Sequence, residues 1–211
     1  MHYIKNIANL LLVCYIGCMK TIIFASNNKD KISQVKKYFP NYNVVGLKEY
    51  GIDIDIPENE DTFEGNACVK AKTIHDMTGE CVLADDSGIC LDYFDGWPGV
   101  HTHRFLGENS TEHQRNQYIL EKMKNLNGKD RTCRIICVIA VANNGKVKSY
   151  TGEYVSKIAT KEFGENSFGF DDIVEFRDDP TKNLACLSDE EKLKINARSL
   201  ALQQAIKDLE K

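Results

Sequence analysis

Apolar positions recur along this chain with two periods, and the alternation between them predicts its elements. Residues 20–25 form a short apolar run that reads as a buried strand. In residues 30–39, Ile32, Val35 and Phe39 recur at helical spacing, and Pro40-Asn41-Tyr42-Asn43 ends the helix. Residues 44–47 read as a second strand. Residues 52–56 alternate apolar and polar before Pro57, the pattern of a half-buried strand. Residues 62–77 read as a helix with Phe63, Ala67, Lys70, Ala71 and Ile74 on one side. Residues 81–84 read as a buried strand ended by Asp85-Asp86, and residues 89–93 as its continuation or return.

Farther on, Gly96-Trp97-Pro98-Gly99 is a turn. Thr111 and Gln114 form a capping box for a helix that runs to Met123. Residues 132–142 are a long β-branched strand. Asn143-Asn144-Gly145-Lys146 is a hairpin turn by composition, and residues 147–159 return from it. Residues 163–172 are a glycine- and phenylalanine-bearing loop. A second capping box at Ser188 starts a C-terminal helix expected to run unbroken to Leu209. Strand and helix alternate early and a meander follows, so the chain is α/β with a mixed sheet.

Composition narrows the class. The chain has 211 residues, 42% hydrophobic and 27% charged, which suits one globular domain. A net charge of −4 and no strongly basic stretch argue against a nucleic-acid partner. Eight cysteines include no CxxC pair, and in a chain of this size they read as free thiols in a reducing, cytoplasmic setting, not as staples or a zinc site. Residues 1–18 contain an apolar run from Ile7 to Cys18, too short for a confident membrane span. It is expected to be an extension upstream of a catalytic domain spanning 19–211, with no membrane partner.

The candidate chemistry lies at two strand ends. Asp85-Asp86-Ser87-Gly88 offers adjacent carboxylates of the kind hard cations take together with substrate phosphates. Ser26-Asn27-Asn28-Lys29-Asp30-Lys31 offers lysines and backbone N–H groups at a strand-to-helix turn, as a triphosphate requires. Acid and base together point to metal-assisted phosphate chemistry. Read singly, paired aspartates cap turns, lone lysines are solvated and a phenylalanine sits in a core.

Four blocks in order give the chain a resemblance to the Ham1/inosine triphosphatase family of nucleoside-triphosphate pyrophosphatases. They are residues 25–31, then Glu58 to Phe63 with Asn66-Ala67 and Lys70-Ala71. Next comes Ala84 to Gly88 with Leu91-Asp92, Gly96, Pro98-Gly99 and Arg104-Phe105. The last is Phe168-Gly169-Phe170-Asp171 with Glu190-Glu191-Lys192. The Ser-x-Ser-Pro-Arg-Arg opening of the Maf-type pyrimidine pyrophosphatases is absent. The resemblance implies an elongated central sheet flanked by helices, with two lobes around a cleft, usually in a homodimer. It implies hydrolysis of non-standard purine nucleoside triphosphates (ITP, dITP, XTP) to the monophosphate and pyrophosphate.

By the same resemblance Asp86 is the catalytic carboxylate, with Asp85 and Lys31 beside it. Glu58, Asp86 and Asp85 would hold Mg²⁺, with Mn²⁺ as the alternative. Substrate would be held by Ser26, Asn27, Asn28, Lys31, Lys70, Ser87, Phe168, Gly169, Phe170, Asp171, Lys192, Asn196 and Arg198. Phe168 would stack on the base, and Gly88 would let backbone approach. Trp97 reads as packing in a turn, and His101 and His103 as incidental.

The pattern departs from the family in several places. Ala197 stands where the family has the histidine of Ser-His-Arg, although Arg198 is present. Phe170 replaces a tyrosine, Asp172 a proline and Gly65 an acid. These changes touch base reading and leave the phosphate end intact. Asn196 could offer a substitute amide to the base. The competing readings are the same chemistry with altered or broader base specificity, and a catalytically weak nucleotide-binding protein.

Overall fold

The computed structural model describes residues 19–107, 109–165 and 168–210. The apolar run within residues 1–18, and Asn166 and Ser167 of the loop, lie outside the described residues. Eight strands and six α-helices follow in chain order among those described. They are β1 (Thr21–Phe24), α1 (Lys29–Tyr38), β2 (Asn43–Gly46), α2 (Leu47–Tyr50), α3 (Phe63–Thr78), β3 (Cys81–Leu91), β4 (Trp97–Pro98) and α4 (Glu112–Lys122). After these come β5 (Thr132–Asn143), β6 (Lys146–Lys157), β7 (Glu175–Phe176), β8 (Asp179–Asn183), α5 (Asp189–Ile195) and α6 (Ala197–Leu209).

The main sheet has the order β2-β1-β3-β5-β6, with β4 joined to β3. β1 pairs in parallel with β2 and β3, while β5 and β6 are antiparallel. β5 and β6 meet in a two-residue turn. Asn144 and Gly145 there both have positive φ (51° and 71°), the twist that hairpin strands favour. One face of the sheet packs Phe24, Leu83 and Ile139 against Val35 of α1 and Leu202 of α6. The other face packs Ile23, Val82 and Ala140 against Ala67, Ala71 and Ile74 of α3. A third cluster, with Ile89, Leu91, Ile119 and Tyr154, closes the far end of the sheet. Arg131 is buried there, and its guanidinium donates to the carbonyls of Ile158, Met123, Leu126 and Ala159, so its donors are met by backbone.

Three expectations change. Residues 52–56 form no strand; Ile52 and Ile56 pack on the α3 side while Ile54 is exposed, so the alternation has no neighbouring strand to serve. The C-terminal helix is broken: Asn196 is extended (φ −69°, ψ 150°), ending α5 and capping α6 in one step. Most consequentially, β3 does not end at Asp85-Asp86 but runs through them to Leu91, continuously paired with β5. The carboxylates therefore sit in the middle of a strand.

Candidate active site

β3 has β5 along one edge from Val82 to Leu91. On its other edge β1 reaches only Leu83, extended by the Ala25 N–H to the Leu83 carbonyl (2.7 Å), and β4 joins only at Cys90. Residues 84–89 face a gap in the sheet, bordered by the end of a parallel strand, where ligands of α/β folds gather. The 99–102 turn closes on this gap. Thr102 Oγ1 accepts the Ile89 N–H (3.0 Å) and donates to the Gly99 carbonyl (2.6 Å). Gly88 is needed for that approach, since a Cβ there would stand 2.3 Å from Thr102 Oγ1; its glycine serves the 99–102 turn first.

Adjacent strand residues point to opposite faces. Asp85 faces α1 and α6, where Lys31 Nζ lies 3.0 Å and Arg198 Nη2 2.9 Å from its Oδ2. Burial alone would raise its pKa; Lys31, Arg198 and Lys70 outweigh it and hold the carboxyl well below the usual range. Asp86 faces α3, where Asn66 Nδ2 donates to its Oδ2 (2.9 Å). Burial pushes its pKa up to about 6, against Lys70 and the Asn66 hydrogen bond and helped by Glu58 and Asp85. Lys70 Nζ is 2.5 Å from Glu58 Oε1, and Arg104 donates to the Glu58 carbonyl (3.0 Å). The expected trio of Glu58, Asp85 and Asp86 is thus divided, because Asp85 is turned away and paired with two cations. Among the described residues no three His, Cys, Asp or Glu side chains gather as a metal-binding group.

On the Asp85 face lies a cleft of about 540 Å³. Asn28, Lys31, Ser87, Phe168, Gly169, Phe170, Asp171, Lys192, Asn196 and Arg198 all line it. Asn28 Oδ1 caps α1 through the N–H groups of Asp30 and Lys31, and so aims the helix terminus and Lys31 into the cleft. Ser26 and Asn27 do not line it. The Ser26 hydroxyl accepts the Asn28 N–H and the Asn27 side-chain Oδ1 the Lys48 N–H, so both shape the turn. Lys70 and Glu58 stand on the Asp86 side of the gap. Asp171 pairs with Lys192 (2.9 Å); burial raises its pKa, and Lys192 opposes the rise. Phe168 is 38% exposed, an aromatic left facing open space.

Asn196 Oδ1 accepts the Ser199 N–H as the α6 cap, so its carbonyl is engaged and its amide nitrogen is the part turned to other use. Ala197 lines the cleft wall beside it. Trp97 packs as expected, its ring 4.9 Å from that of Phe105. His103, read from the sequence as incidental together with His101, lines the cleft, whereas His101 does not; a histidine in a turn carries no local signal of the cleft that the fold brings to it. Glu112 also lines the cleft unannounced, since the first turn of a helix is an ordinary place for an acid.

No helix among the described residues is long and apolar enough to cross a membrane. The chain is 35% identical over 185 residues to a dITP/XTP pyrophosphatase of Staphylococcus aureus strain MRSA252, covering 87% of this chain and 93% of that one. It is 36% identical over 195 residues to a dITP/XTP pyrophosphatase of Clostridium perfringens strain 13, covering 88% and 95%. The solved structure of the Staphylococcus aureus Ham1 protein superposes with a TM-score of 0.81 at 36% identity, covering 91% of this chain and all of that one. A HAM1 protein from Coxiella burnetii gives 0.81 at 31% identity, covering 90% and 98%. The Ham1 family model matches residues 22–208, and with that match across the gapped sheet and its cleft, the chain belongs to the Ham1 family.

Proposed function

We propose that this protein hydrolyses non-standard purine nucleoside triphosphates, dITP, ITP and XTP, to the monophosphate and pyrophosphate, and so cleans the nucleotide pool. The observation that carries the reading is Asp86, a carboxylate buried to 6% exposure at a gap between two strands, with its pKa raised to about 6. Such a group is ionised at neutral pH yet basic enough to take a proton from water. Relatives named dITP/XTP pyrophosphatase support the substrate class.

The residues divide the work. The base enters the cleft against Phe168, with Asp171 and Lys192 at its side. The phosphates run past Lys31 and Ser87, where α1 offers its N-terminus, and into the gap in the sheet, where Asp86 and Lys70 meet them from the other side. Water attacks the α-phosphorus, its proton passes to Asp86, and the bond to the bridging oxygen breaks with its electron pair leaving on pyrophosphate. Lys31 and Lys70 neutralise charge that grows on the leaving phosphates. Asp85 acts by holding Lys31 and Arg198 in place.

Glu58 and Asp86 suit a hard cation. Both are oxygen donors on one side of the gap, and Asp86, unlike Asp85, is held by amide donors and not by a side-chain cation. Bound there, Mg²⁺, or Mn²⁺ as the alternative, supplies charge neutralisation on phosphate oxygens and acidifies water. We further propose that the protein works as a homodimer in the cytoplasm. Its described cysteines are free thiols, which suits a reducing compartment.

A second reading keeps the chemistry and shifts the base. Ala197 lines the cleft where the resemblance leads one to expect a histidine, so one ring donor is missing from the base pocket. Pyrophosphate release from ITP, dITP, XTP, GTP, ATP and dUTP, with Asp86→Ala alongside, tests both. Preference for ITP and XTP, lost in the variant, supports the first reading. Preference for another base supports the second. Tight nucleotide binding without release would overturn both in favour of a binding protein.

A further inference from the structure

Helix α4 enters none of the motif blocks, yet its first turns reach both rims of the cleft. Glu112 Oε2 accepts the Gly169 N–H at 3.0 Å. One turn on, Asn116 Nδ2 donates to the Gly169 carbonyl (2.9 Å) and to Asp172 Oδ1 (2.6 Å). Gly169 is thus gripped at its N–H and at its carbonyl, one on each side of its Cα, by two side chains of one helix. Between them Arg115 Nη1 donates to the Ser110 carbonyl (2.5 Å), the Ser110 hydroxyl (3.0 Å) and the His103 carbonyl (3.5 Å), tying down the opposite rim.

The grip is built, not incidental. Asn116 is 1% exposed, and a buried amide is retained at a cost unless its donors are used. Both contacts use its donor side, which an aspartate could not supply. Gly169 lies at φ +67°, a left-handed turn that lets both peptides face the helix. The Phe168 carbonyl accepts the Asp171 N–H at 3.3 Å, a long contact beside the 3.0 and 2.9 Å bonds that α4 makes to Gly169. The residue that follows the Phe168 ring is thus fixed by the helix, while Asp171 farther on is fixed by Lys192.

We propose that Glu112 and Asn116 are positioning residues for nucleotide recognition: by holding the Gly169 peptides they set where Phe168 stands against the purine ring. This rests on the pyrophosphatase reading above and adds that base affinity is decided from α4, outside the recognised motifs. The residues act through Phe168 and touch no reacting atom.

The test compares Glu112→Ala, Glu112→Gln, Asn116→Asp, Phe168→Ala and the double variant Glu112→Ala/Phe168→Ala. For each, KM and kcat are measured on dITP, the affinity for dITP is measured by calorimetry in EDTA, and amide exchange is followed at Gly169. The expected result for Glu112→Ala is faster Gly169 exchange and a KM raised about tenfold, with kcat within about twofold. Glu112→Gln, which keeps the acceptor, returns KM to the parent value. Asn116→Asp behaves as Glu112→Ala or more strongly. In the Phe168→Ala background Glu112→Ala adds nothing, because coupled residues are not additive. An unchanged KM, an equal fall in kcat, no rescue by Glu112→Gln, or additivity in the double variant would each overturn the proposal. Should the parent protein release no pyrophosphate, the functional reading fails while the affinity series still decides the positioning role. A parent protein that binds no dITP overturns both.

Discussion

Asp85 and Asp86 are neighbours in sequence, equal in chemistry and nearly equal in burial, at 3% and 6% exposure. Their environments are opposite. Asp85 meets Lys31 and Arg198 and is held ionised across the whole neutral range. Asp86 meets the Asn66 side-chain amide, the Ser87 backbone N–H and a more distant lysine, and burial resists its charge. The difference comes from the strand: a rotation of about 180° per residue sends one carboxylate to the α1/α6 side and the other to the α3 side. A pair that reads as one acidic motif is two devices, one that holds the fold and one left partly unsatisfied for chemistry.

The comparison breaks most sharply in activity. Asp86→Asn should lower pyrophosphate release by about 10²–10⁴-fold, the usual worth of a general base. The same variant should be as stable as the parent or more so, by thermal melting in EDTA at pH 8. A comparable loss of melting temperature would show that Asp86 is structural after all. Asp85→Ala should do the reverse in kind: it strands Arg198 and Lys31, and breaking such a buried pair costs about 3–5 kcal/mol. Urea unfolding reads this, and a change below about 1 kcal/mol would mean the pair behaves as a surface one.

The pH dependence sharpens the contrast, with opposite signs. The folded pKa of Asp86 is raised, so its contribution to stability is full below the ordinary carboxylate value near 4 and is lost as pH rises through about 6. In EDTA, the melting temperature of Asp86→Asn relative to the parent should climb across that window, by an amount worth on the order of 1–3 kcal/mol. Asp85 is depressed, so its contribution is present above the ordinary value and is lost only as pH falls below it. A flat difference between Asp86→Asn and parent from pH 4 to 8 would refute the assignment.

Smaller effects belong to the base end. Phe168→Ala should raise KM for dITP with little change in kcat, by the about 1–3 kcal/mol that aromatic stacking on a base is worth. Smallest is Asn196→Ala. It removes the α6 cap, at about 1 kcal/mol, and should lower the rate on ITP relative to GTP if the amide nitrogen reads the base. An unchanged ratio with lower stability would leave Asn196 as a cap alone.

Much of this was legible beforehand because it is local. The capping boxes at Thr111 and Ser188, the Asn144-Gly145 hairpin and the helical stripe of Ala67, Ala71 and Ile74 are each set by residues within one or two turns. The break at Asn196 was not, since an asparagine is tolerated within a helix, and it is the packing of Ala197 in the core and the pairing of Arg198 with Asp85 that draw α6 onto the sheet from this point. β7 and β8, joined around charged residues such as Arg177 and Asp179, carry no apolar period to announce them. The end of β3 is not legible in the sequence because two carboxylates resemble a polar boundary, whereas Cys133 to Ala142 of β5 continue beside them and keep the strand paired.

The sequence by itself determined most of the elements, the α/β class and the polar and aromatic residues Asn28, Lys31, Ser87, Phe168, Asp171, Lys192 and Arg198 of the cleft, because capping, turn chemistry and apolar periodicity act over a few residues. Only the tertiary structure decided which of two adjacent aspartates would be paired with cations and which would be held by amide donors alone. It alone opened the gap in the sheet and gave α4 its hold on Gly169. Those outcomes depend on cations, amides and strand ends that lie tens of residues away along the chain and meet only when the sheet closes around them.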